Sequence, residues 1–244
     1  MSEETPPPGL EATLTSEAVT EETFDVIESS LRDLWTVVDD LSRIRPPRSE
    51  YYRVTIFGSS RMRPGDRLYE DTRRLATELA AMGCDIVTGG GPGLMQAANE
   101  GEAIGDPDNV TRSFGINIEL PHEQLANPFV EKLYMHRTFF TRLHHFVRLS
   151  HAFIVMEGGI GTTLEAFMVW QLCQVRHVYD TPFIFLGEMW GELRAWAGHW
   201  MTDGQDPQLA SPADLDIPTC VPSVDEAVAV IREHKRRLQI GVEK

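Results

Sequence analysis

Short apolar segments that end in glycine turns constrain the fold of this chain more than any other feature. Residues 152–156 form one such segment, and the glycine-rich turn after it leads into an amphipathic helical pattern. Glycine turns also end the apolar segments 54–58 and 85–88. Buried parallel strands read as apolar runs, and short turns connect them to helices. The sequence therefore predicts a parallel sheet with three glycine turns at the carboxyl ends of its strands.

Strand and helix patterns alternate along the chain from residue 52 onwards. This alternation predicts an α/β fold, a Rossmann-like doubly wound parallel sheet with helices on both faces. Gly83 is expected to end the first of these helices and Ser223 to cap the last. The predicted strands are 54–58, 85–88, 113–120, 152–156, 183–186 and 217–221, and the predicted helices are 66–82, a helix from about 94, 137–149, 162–175, 189–201 and 224–238.

The first 48 residues differ in composition from the rest. Residues 1–50 carry 12 acidic and 4 basic side chains, which is −8 of the total formal charge of −15. Residues 1–20 are predicted to be a disordered acidic tail, and residues 21–48 an amphipathic helix with a proline linker, packed on the body or on a partner subunit. Residues 49–244 are predicted to be the α/β domain.

Charge and cysteine usage exclude several classes of protein. A net charge of −15 argues against nucleic-acid binding, which needs a basic face. No apolar run approaches the length of a membrane-spanning helix, so no membrane partner is expected. The three cysteines are far apart and lack metal-ligand spacing, which is typical of reduced thiols and predicts a cytoplasmic location.

The turn before the 162–175 helix predicts an anion site. Backbone N–H groups and the helix dipole favour negative charge at a helix amino end, and glycines let a phosphate come close. Gly158, Gly159 and Gly161 provide that backbone, and Thr162 adds a hydroxyl group. Glu165 follows about one helical turn later. A phosphate site beside a carboxylate indicates chemistry on a phosphorylated ligand.

The turn at Gly89–Gly93 also predicts a ligand-facing loop. Consecutive glycines cost roughly 1 kcal/mol each relative to alanine in regular structure, and a simple connector does not need them. The pattern is neither a Walker A loop nor a GxGxxG fingerprint. Ser59, after the first strand, has a hydroxyl group that suits a phosphate or a ribose, although an ordinary turn explains it equally well.

Both glycine loops resemble one family. Residues 157–165 match the signature Pro-Gly-Gly-x-Gly-Thr-x-x-Glu at all but the first position. Residues 89–95, followed by Ala97-Ala98-Asn99, match its second motif, Gly-Gly-Gly-Pro-Gly-Leu/Ile-Met. Over about residues 50–200 the sequence resembles the Lonely Guy (LOG) family of nucleoside 5′-monophosphate phosphoribohydrolases, long misnamed lysine decarboxylases. The stretch 115–124 is similar to the longer, type II-like branch.

This resemblance implies an N-glycosidase that converts AMP or a cytokinin-type nucleotide to free base and ribose 5-phosphate. It implies a homodimer and requires no metal or other cofactor. Counting back from Glu165 without gaps places the family's catalytic arginine at Arg142, whereas the nearby Arg137 is out of register. The implied site consists of catalytic Arg142 and Glu165, phosphate-binding Gly158, Gly159, Gly161 and Thr162, and base- or ribose-binding Ser59, Gly89, Gly90, Gly91 and Met95.

Two departures from the family pattern bear on the ligand. Leu143 stands where the family has a lysine, and Glu157 replaces the signature proline. A carboxylate facing a phosphate would repel it, so either Glu157 points away or the ligand differs. The alternative function is therefore a non-catalytic nucleotide or molybdenum-cofactor-type carrier on the same fold. A scaffold acting through the acidic tail is a third reading.

Two other kinds of chemistry find little support. Pyridoxal phosphate needs a buried lysine, and none of the three lysines, Lys132, Lys235 and Lys244, adjoins a glycine loop. Four histidines, His136, His144, His145 and His151, lie close together along the chain but do not form a metal-binding motif. These histidines are expected on a helix surface or lining a ligand site, and no metal site is expected.

Overall fold

A computed structural model describes residues 26, 28, 29, 51–119, 126–204 and 207–240, except for the side chains of 239 and 240. The chain divides into two units, Met1–Arg48 and Ser49–Lys244. The three described residues of the first unit are helical. The predicted acidic tail and the rest of the predicted N-terminal helix lie outside the described residues, and the predicted domain boundaries stay predictions.

Seven parallel strands form one sheet. They are β1 (Tyr52–Phe57), β2 (Cys84–Thr88), β3 (Ser113–Ile118), β4 (Lys132–His136), β5 (Ala152–Val155), β6 (Phe183–Leu186) and β7 (Thr219–Val221). Their order is β4-β3-β2-β1-β5-β6-β7. Strands β2 and β5 are buried along their whole length, as apolar segments in a sheet covered on both faces should be.

Helices cover both faces of the sheet. They are α1 (Arg67–Ala81), α2 (Leu94–Gly105), α3 (Phe139–Leu149), α4 (Ile160–Gln174), α5 (Glu188–Met201), α6 (Pro212–Leu215) and α7 (Val224–Ile240). One core cluster contains Leu75 of α1 and Ile231 of α7. The other contains Phe146 of α3, Val169 of α4 and Trp190 of α5. The two clusters confirm the predicted doubly wound, Rossmann-like α/β fold.

The strand order reverses next to β1. From β1 the chain runs outward through β2 and β3 to β4, and then returns to place β5 on the other side of β1. Val54 of β1 consequently pairs with Ile86 of β2 on one side and Ala152 of β5 on the other. In open parallel sheets, ligands bind in the crevice at such a reversal, outside the carboxyl ends of the strands.

Two elements were not predicted. Strand β4 lies at the edge of the sheet, where Leu133 and Met135 are 43% and 51% exposed. An edge strand buries neither face fully, so it lacks the apolar run that marks the central strands. The short helix α6 begins at Pro212 after a capping box in which the Ser211 hydroxyl accepts the N–H of Asp214.

Other boundaries follow local chemistry. Helix α3 begins at Phe139, after residue 137, because the Thr138 hydroxyl caps it by accepting the N–H of Thr141 at 3.2 Å. Gly83 follows α1 with a φ of +73°, and the Ser223 hydroxyl accepts the N–H of Glu226 at 3.3 Å, so both predicted helix ends are confirmed. Among the described residues, no helix is long and apolar enough to span a bilayer.

Candidate active site

The three glycine turns lie side by side at the carboxyl ends of β2, β1 and β5. Ser59 connects them, because its N–H donates to the Glu157 carbonyl at 3.3 Å and its carbonyl accepts from the N–H of Leu94 at 2.8 Å. Gly93 has a φ of +72°, and a Cβ there would overlap the Ser59 carbonyl oxygen. The Ser59 hydroxyl accepts the N–H of Arg61 at 3.2 Å. The turns therefore form one continuous backbone surface.

The amino end of α4 is open. Gly159 is its N-cap, and no side chain caps the helix. A Cβ on Gly159 or Gly161 would meet no atom of the described residues within 4 Å, so their packing does not require glycine at either position. Gly158 differs, because a Cβ there would overlap the hydroxyl of the buried Thr162. An uncapped helix amino end with free space before it can accept an anion.

Glu165, in the second turn of α4, forms an ion pair with Arg142 of α3. Arg142 Nη1 donates to Glu165 Oε1 at 2.8 Å, and each side chain is 11% exposed. Arg142 Nε also donates to the carbonyl of Ile116, in β3, at 2.9 Å. Its guanidinium carbon lies 5.1 Å from the centre of the Phe146 ring. The fold thus holds the predicted arginine in one orientation against the predicted carboxylate.

Burial sets the protonation chemistry of this pair. Removal from water raises the pKa of the Glu165 carboxyl above its ordinary 4.5, and the Arg142 guanidinium opposes that rise. Burial thus favours the protonated carboxyl, whereas the guanidinium favours the carboxylate that a general base needs.

The backbone of Gly89 lies beside the guanidinium of Arg142 and the side chain of Met95. A Cβ on Gly89 would lie 2.6 Å from Arg142 Nη2 and 2.7 Å from Met95 Sδ. Gly90 has a φ of +72° and lies so close to β3 that its Cβ would be 3.1 Å from the Gly115 Cα. Glycine therefore fits at positions 89 and 90, because the backbone passes close to Arg142 at the first and close to β3 at the second.

A buried polar network, not predicted from the sequence, holds this loop. Asn99 Oδ1 accepts from Thr88 Oγ1 at 2.7 Å and from Asn127 Nδ2 at 3.0 Å, while Asn99 Nδ2 donates to Ser113 Oγ at 2.8 Å. Asn127 also donates to the carbonyls of Gly90, through its N–H at 2.9 Å, and of Gly91 at 3.0 Å. The asparagine of the Ala-Ala-Asn motif was the available sequence signal, since a buried polar residue needs partners.

Glu157 turns away from the α4 turn. Its Oε1 accepts the N–H of Met189, in the first turn of α5, at 3.4 Å. Gly187, with a φ of +117°, makes room for it, because a Cβ there would lie 2.6 Å from Glu157 Oε1. The carboxylate therefore serves the amino end of α5, where negative charge is stabilising. Of the two alternatives, that Glu157 points away or that the ligand differs, the structure has Glu157 pointing away from the turn.

The other residues singled out in the sequence lie around this site or outside it. Arg137 is 88% exposed and lies 3.6 Å from Glu119, and Leu143 is half-buried on α3. Lys132 is exposed on β4, and Lys235 donates to the carbonyls of Met82 and Gly83, which precede β2. Within the described part of the chain, no group of three histidine, cysteine or acidic side chains is arranged to hold a metal ion.

Known proteins resemble this chain in sequence and in fold. Over 116 residues the chain is 33% identical to the pyrimidine/purine nucleotide 5′-monophosphate nucleosidase of Escherichia coli K12. That match covers 46% of this chain and 25% of the relative, so it spans about a quarter of the relative's length. The same protein from two other E. coli strains matches equally well.

Two solved structures share the fold. The molybdenum cofactor binding protein of Rippkaea orientalis superposes with a TM-score of 0.55 at 16% identity, over 77% of this chain and 98% of that one. The molybdenum cofactor carrier protein of Chlamydomonas reinhardtii gives a TM-score of 0.54 at 14% identity, over 77% and 99%.

The family model described as "possible lysine decarboxylase" matches residues 95–231. The matched region holds Met95 of the second loop, Arg142 and the whole signature turn with Glu165. It spans more than half of the chain, and the protein therefore belongs to this family, the Lonely Guy family.

Proposed function

We propose that the protein hydrolyses the N-glycosidic bond of a nucleoside 5′-monophosphate to free base and ribose 5-phosphate. The observation that carries this proposal is the buried pair of Arg142 and Glu165, 2.8 Å apart, beside the open amino end of α4. A carboxylate, a guanidinium and an anion site within one crevice are the groups that this reaction needs.

The 5′-phosphate would bind at the amino end of α4. Backbone N–H groups of Gly158, Gly159 and Gly161 and the hydroxyl of Thr162 would donate to it, supported by the helix dipole. Gly159 and Gly161 support this placement, because no described residue packs within 4 Å of a Cβ placed on either of them. Phosphate bound there would place the ribose towards Glu165, which follows one helical turn later.

Glu165 would stabilise the oxocarbenium-like ribose and accept a proton from the attacking water. The C1′–N bond breaks, the water oxygen bonds to C1′, and the base leaves with the bond's electron pair and gains a proton. Arg142 would hold the nucleotide and assist the departing base. Burial supports these roles, since charges act more strongly where water is excluded.

The base and ribose would lie against the second loop. The Gly89 backbone lies between the Arg142 guanidinium and the Met95 side chain, since a Cβ on Gly89 would overlap both, and this supports their part in the pocket. Gly90 and Gly91 would contribute through the backbone that the Asn127 network holds, and Ser59 through the turn after β1. The E. coli relative's name covers purine and pyrimidine nucleotides. Accordingly, the proposed substrates are purine nucleoside monophosphates, AMP and cytokinin-type nucleotides among them, and pyrimidine nucleoside monophosphates.

A homodimer is part of the proposal. Helix α4 exposes Ile160, Leu164 and Phe167, which are 88%, 49% and 39% accessible and lie on one face at positions i, i+4 and i+7. Helix α4 is apolar on the face packed against the sheet and also on this exposed face, a pattern typical of a subunit interface. Light scattering should give the mass of a dimer, and Leu164→Glu should shift it towards the monomer. A wild-type monomer would contradict this part of the proposal.

A carrier that binds a phosphorylated ligand without cleaving it is the alternative. The two molybdenum cofactor proteins share the fold, and Leu143 stands in the place of the family lysine. The buried Arg142–Glu165 pair favours the hydrolase, because a carrier needs no acid–base group.

A panel assay tests the proposal. AMP, GMP, CMP, UMP and an isopentenyl-AMP are incubated with the protein, and free base is measured by chromatography. At least one nucleotide should be cleaved, and Glu165→Gln should lower the rate by about a thousandfold. Glu192→Gln, on the exposed face of α5, is the matched control and should keep the wild-type rate. Full activity of Glu165→Gln would overturn the mechanism, and tight molybdopterin binding without any base release would favour the carrier.

A further inference from the structure

Three of the four clustered histidines meet in a small cavity outside the candidate active site. We define the histidine pocket as this cavity of about 210 Å³, lined by His136, Thr141, His144, His145 and Arg148. His136 ends the edge strand β4, and the other four residues form one face of α3, three to four residues apart. Arg142, on the same helix, is directed to Glu165 instead.

Hydrogen bonds join two of these histidines. His136 Nε2 lies 2.9 Å from His145 Nδ1, and His136 Nδ1 lies 3.1 Å from Thr141 Oγ1. The His145 ring also packs edge-on against Tyr134, at 4.5 Å between centroids. Within such a pair one imidazole donates and the other accepts. Full protonation would place two positive charges in contact, so without a bound anion the pair favours at most one positive charge.

The charges around the pocket are mainly positive. Arg148 and His144 face it from α3, while Lys132 of β4 lies 5.4 Å from the Tyr134 ring. Arg142 is close enough to lower the pKa of His136, although burial is the larger cause. No carboxylate lines the pocket among the residues that the structure describes.

One described acid, Glu119, directly follows β3 and is hydrogen-bonded through its backbone to His136. The N–H of Glu119 donates to the His136 carbonyl at 2.8 Å, and its carboxylate is 3.6 Å from Arg137. Burial, together with His136, Arg148 and His144, lowers the pKa of His145 to about 4. A cationic, partly enclosed cavity of this kind stands out in a chain with a net charge of −15.

We propose that the histidine pocket binds a phosphoryl group, either inorganic phosphate or the phosphate of a small monoester, and takes up a proton on the His136–His145 pair as it does so. Arg148 supplies a permanent charge, and Thr141 and the imidazoles supply hydrogen-bond donors. A bound dianion offsets the repulsion that otherwise prevents double protonation. Binding is therefore tightest in mildly acidic solution. The proposal stands independently of the nucleotide hydrolysis proposed above.

Imidazole NMR spectra of ¹⁵N-labelled full-length protein test this site. Sulfate is the first probe, because its charge does not change over the range used. At constant ionic strength set with chloride, sulfate should shift the His136 and His145 resonances at about pH 6 and bind about tenfold more weakly at about pH 8. Inorganic phosphate and glycerol 3-phosphate follow, and the tighter binder identifies the occupant as the free ion or a monoester.

Variants separate this site from general charge effects. Arg148→Gln should abolish the sulfate-induced shifts, whereas Arg148→Lys should retain them. Arg67→Gln, which removes a 91% exposed arginine on α1, is the matched control and should behave as wild type. The buried His234, hydrogen-bonded to Tyr52 at 2.6 Å, reports that each variant is folded. Unmoved His136 and His145 resonances at both pH values, or equal binding by Arg148→Gln and Arg67→Gln, would overturn the proposal.

Discussion

The guanidinium of Arg142 lies directly against the backbone of Gly89, so closely that a Cβ at position 89 would be 2.6 Å from Nη2. The same guanidinium is bonded to the Ile116 carbonyl and to Glu165. Three elements that are distant in sequence therefore fix one side chain. The glycine loop contributes by having no side chain at its closest point.

Gly89→Ala should separate catalysis from stability. The added methyl would displace Arg142 and Met95, which are the ends of flexible side chains and can move without unfolding the protein. We expect kcat/KM for nucleotide cleavage to fall by at least about tenfold, because small displacements of a positioning group are costly. The unfolding midpoint should fall by less than it does for Arg142→Gln, because the displaced guanidinium keeps its charge opposite Glu165. The control is Gly191→Ala, in open space on α5, and a wild-type rate for Gly89→Ala would contradict the prediction.

The Arg142–Glu165 pair should show strong coupling in stability. Each side chain is only 11% exposed, so removing one leaves a mostly buried charge. Arg142→Gln and Glu165→Gln should each lower the free energy of unfolding by about 2 kcal/mol, and the double variant by at least about 1 kcal/mol less than their sum. Urea unfolding of the four proteins measures this cycle. Additive effects would mean that the two groups do not interact in solution.

Glu157→Gln should weaken α5 and leave phosphate binding unchanged. The carboxylate lies at the amino end of that helix, so losing its charge should lower stability by about 0.5 kcal/mol at low salt and less at high salt. Glu192→Gln, farther along the same helix, should have a smaller effect. Tighter binding of ribose 5-phosphate by Glu157→Gln would instead indicate that the carboxylate faces the α4 turn.

Glu102→Gln should stabilise the protein in a pH-dependent way. Burial raises the pKa of the Glu102 carboxyl to about 7, from its ordinary 4.5, despite the bond donated by Thr111. Between pH 4.5 and about 7 the Glu102 carboxyl is therefore protonated in the folded protein but ionised in the unfolded chain. The stability that this proton gives at low pH is lost as the pH rises through about 7.

The gain from Glu102→Gln should be about 2 kcal/mol at about pH 8 and vanish near about pH 4. Chemical unfolding at both pH values measures it, with the surface substitution Glu78→Gln as the comparison. An equal effect at both pH values would show that the carboxyl does not titrate as described.

Local sequence patterns predicted most of the strands and helices and part of the candidate site. The central strands were recognisable because burial on both faces requires apolar residues throughout, and the helices because one face is buried. Strand β4 had no such signal, since an edge strand exposes Leu133 and Met135. The role of Asn127 was also hidden, because its partners Gly90 and Gly91 lie more than thirty residues away in the chain.

The sequence by itself determined the alternation of strands and helices, the three glycine turns and the carboxylate of Glu165 behind one of them, while the resemblance to the family implied Arg142. These depend on residues close together in the chain, where periodicity and turn chemistry act. Only the tertiary structure decided that Glu157 turns to Gly187 and α5, and that His136 of the edge strand meets His145 of α3. Both outcomes depend on which distant segments the sheet order brings side by side, and no local pattern encodes that order.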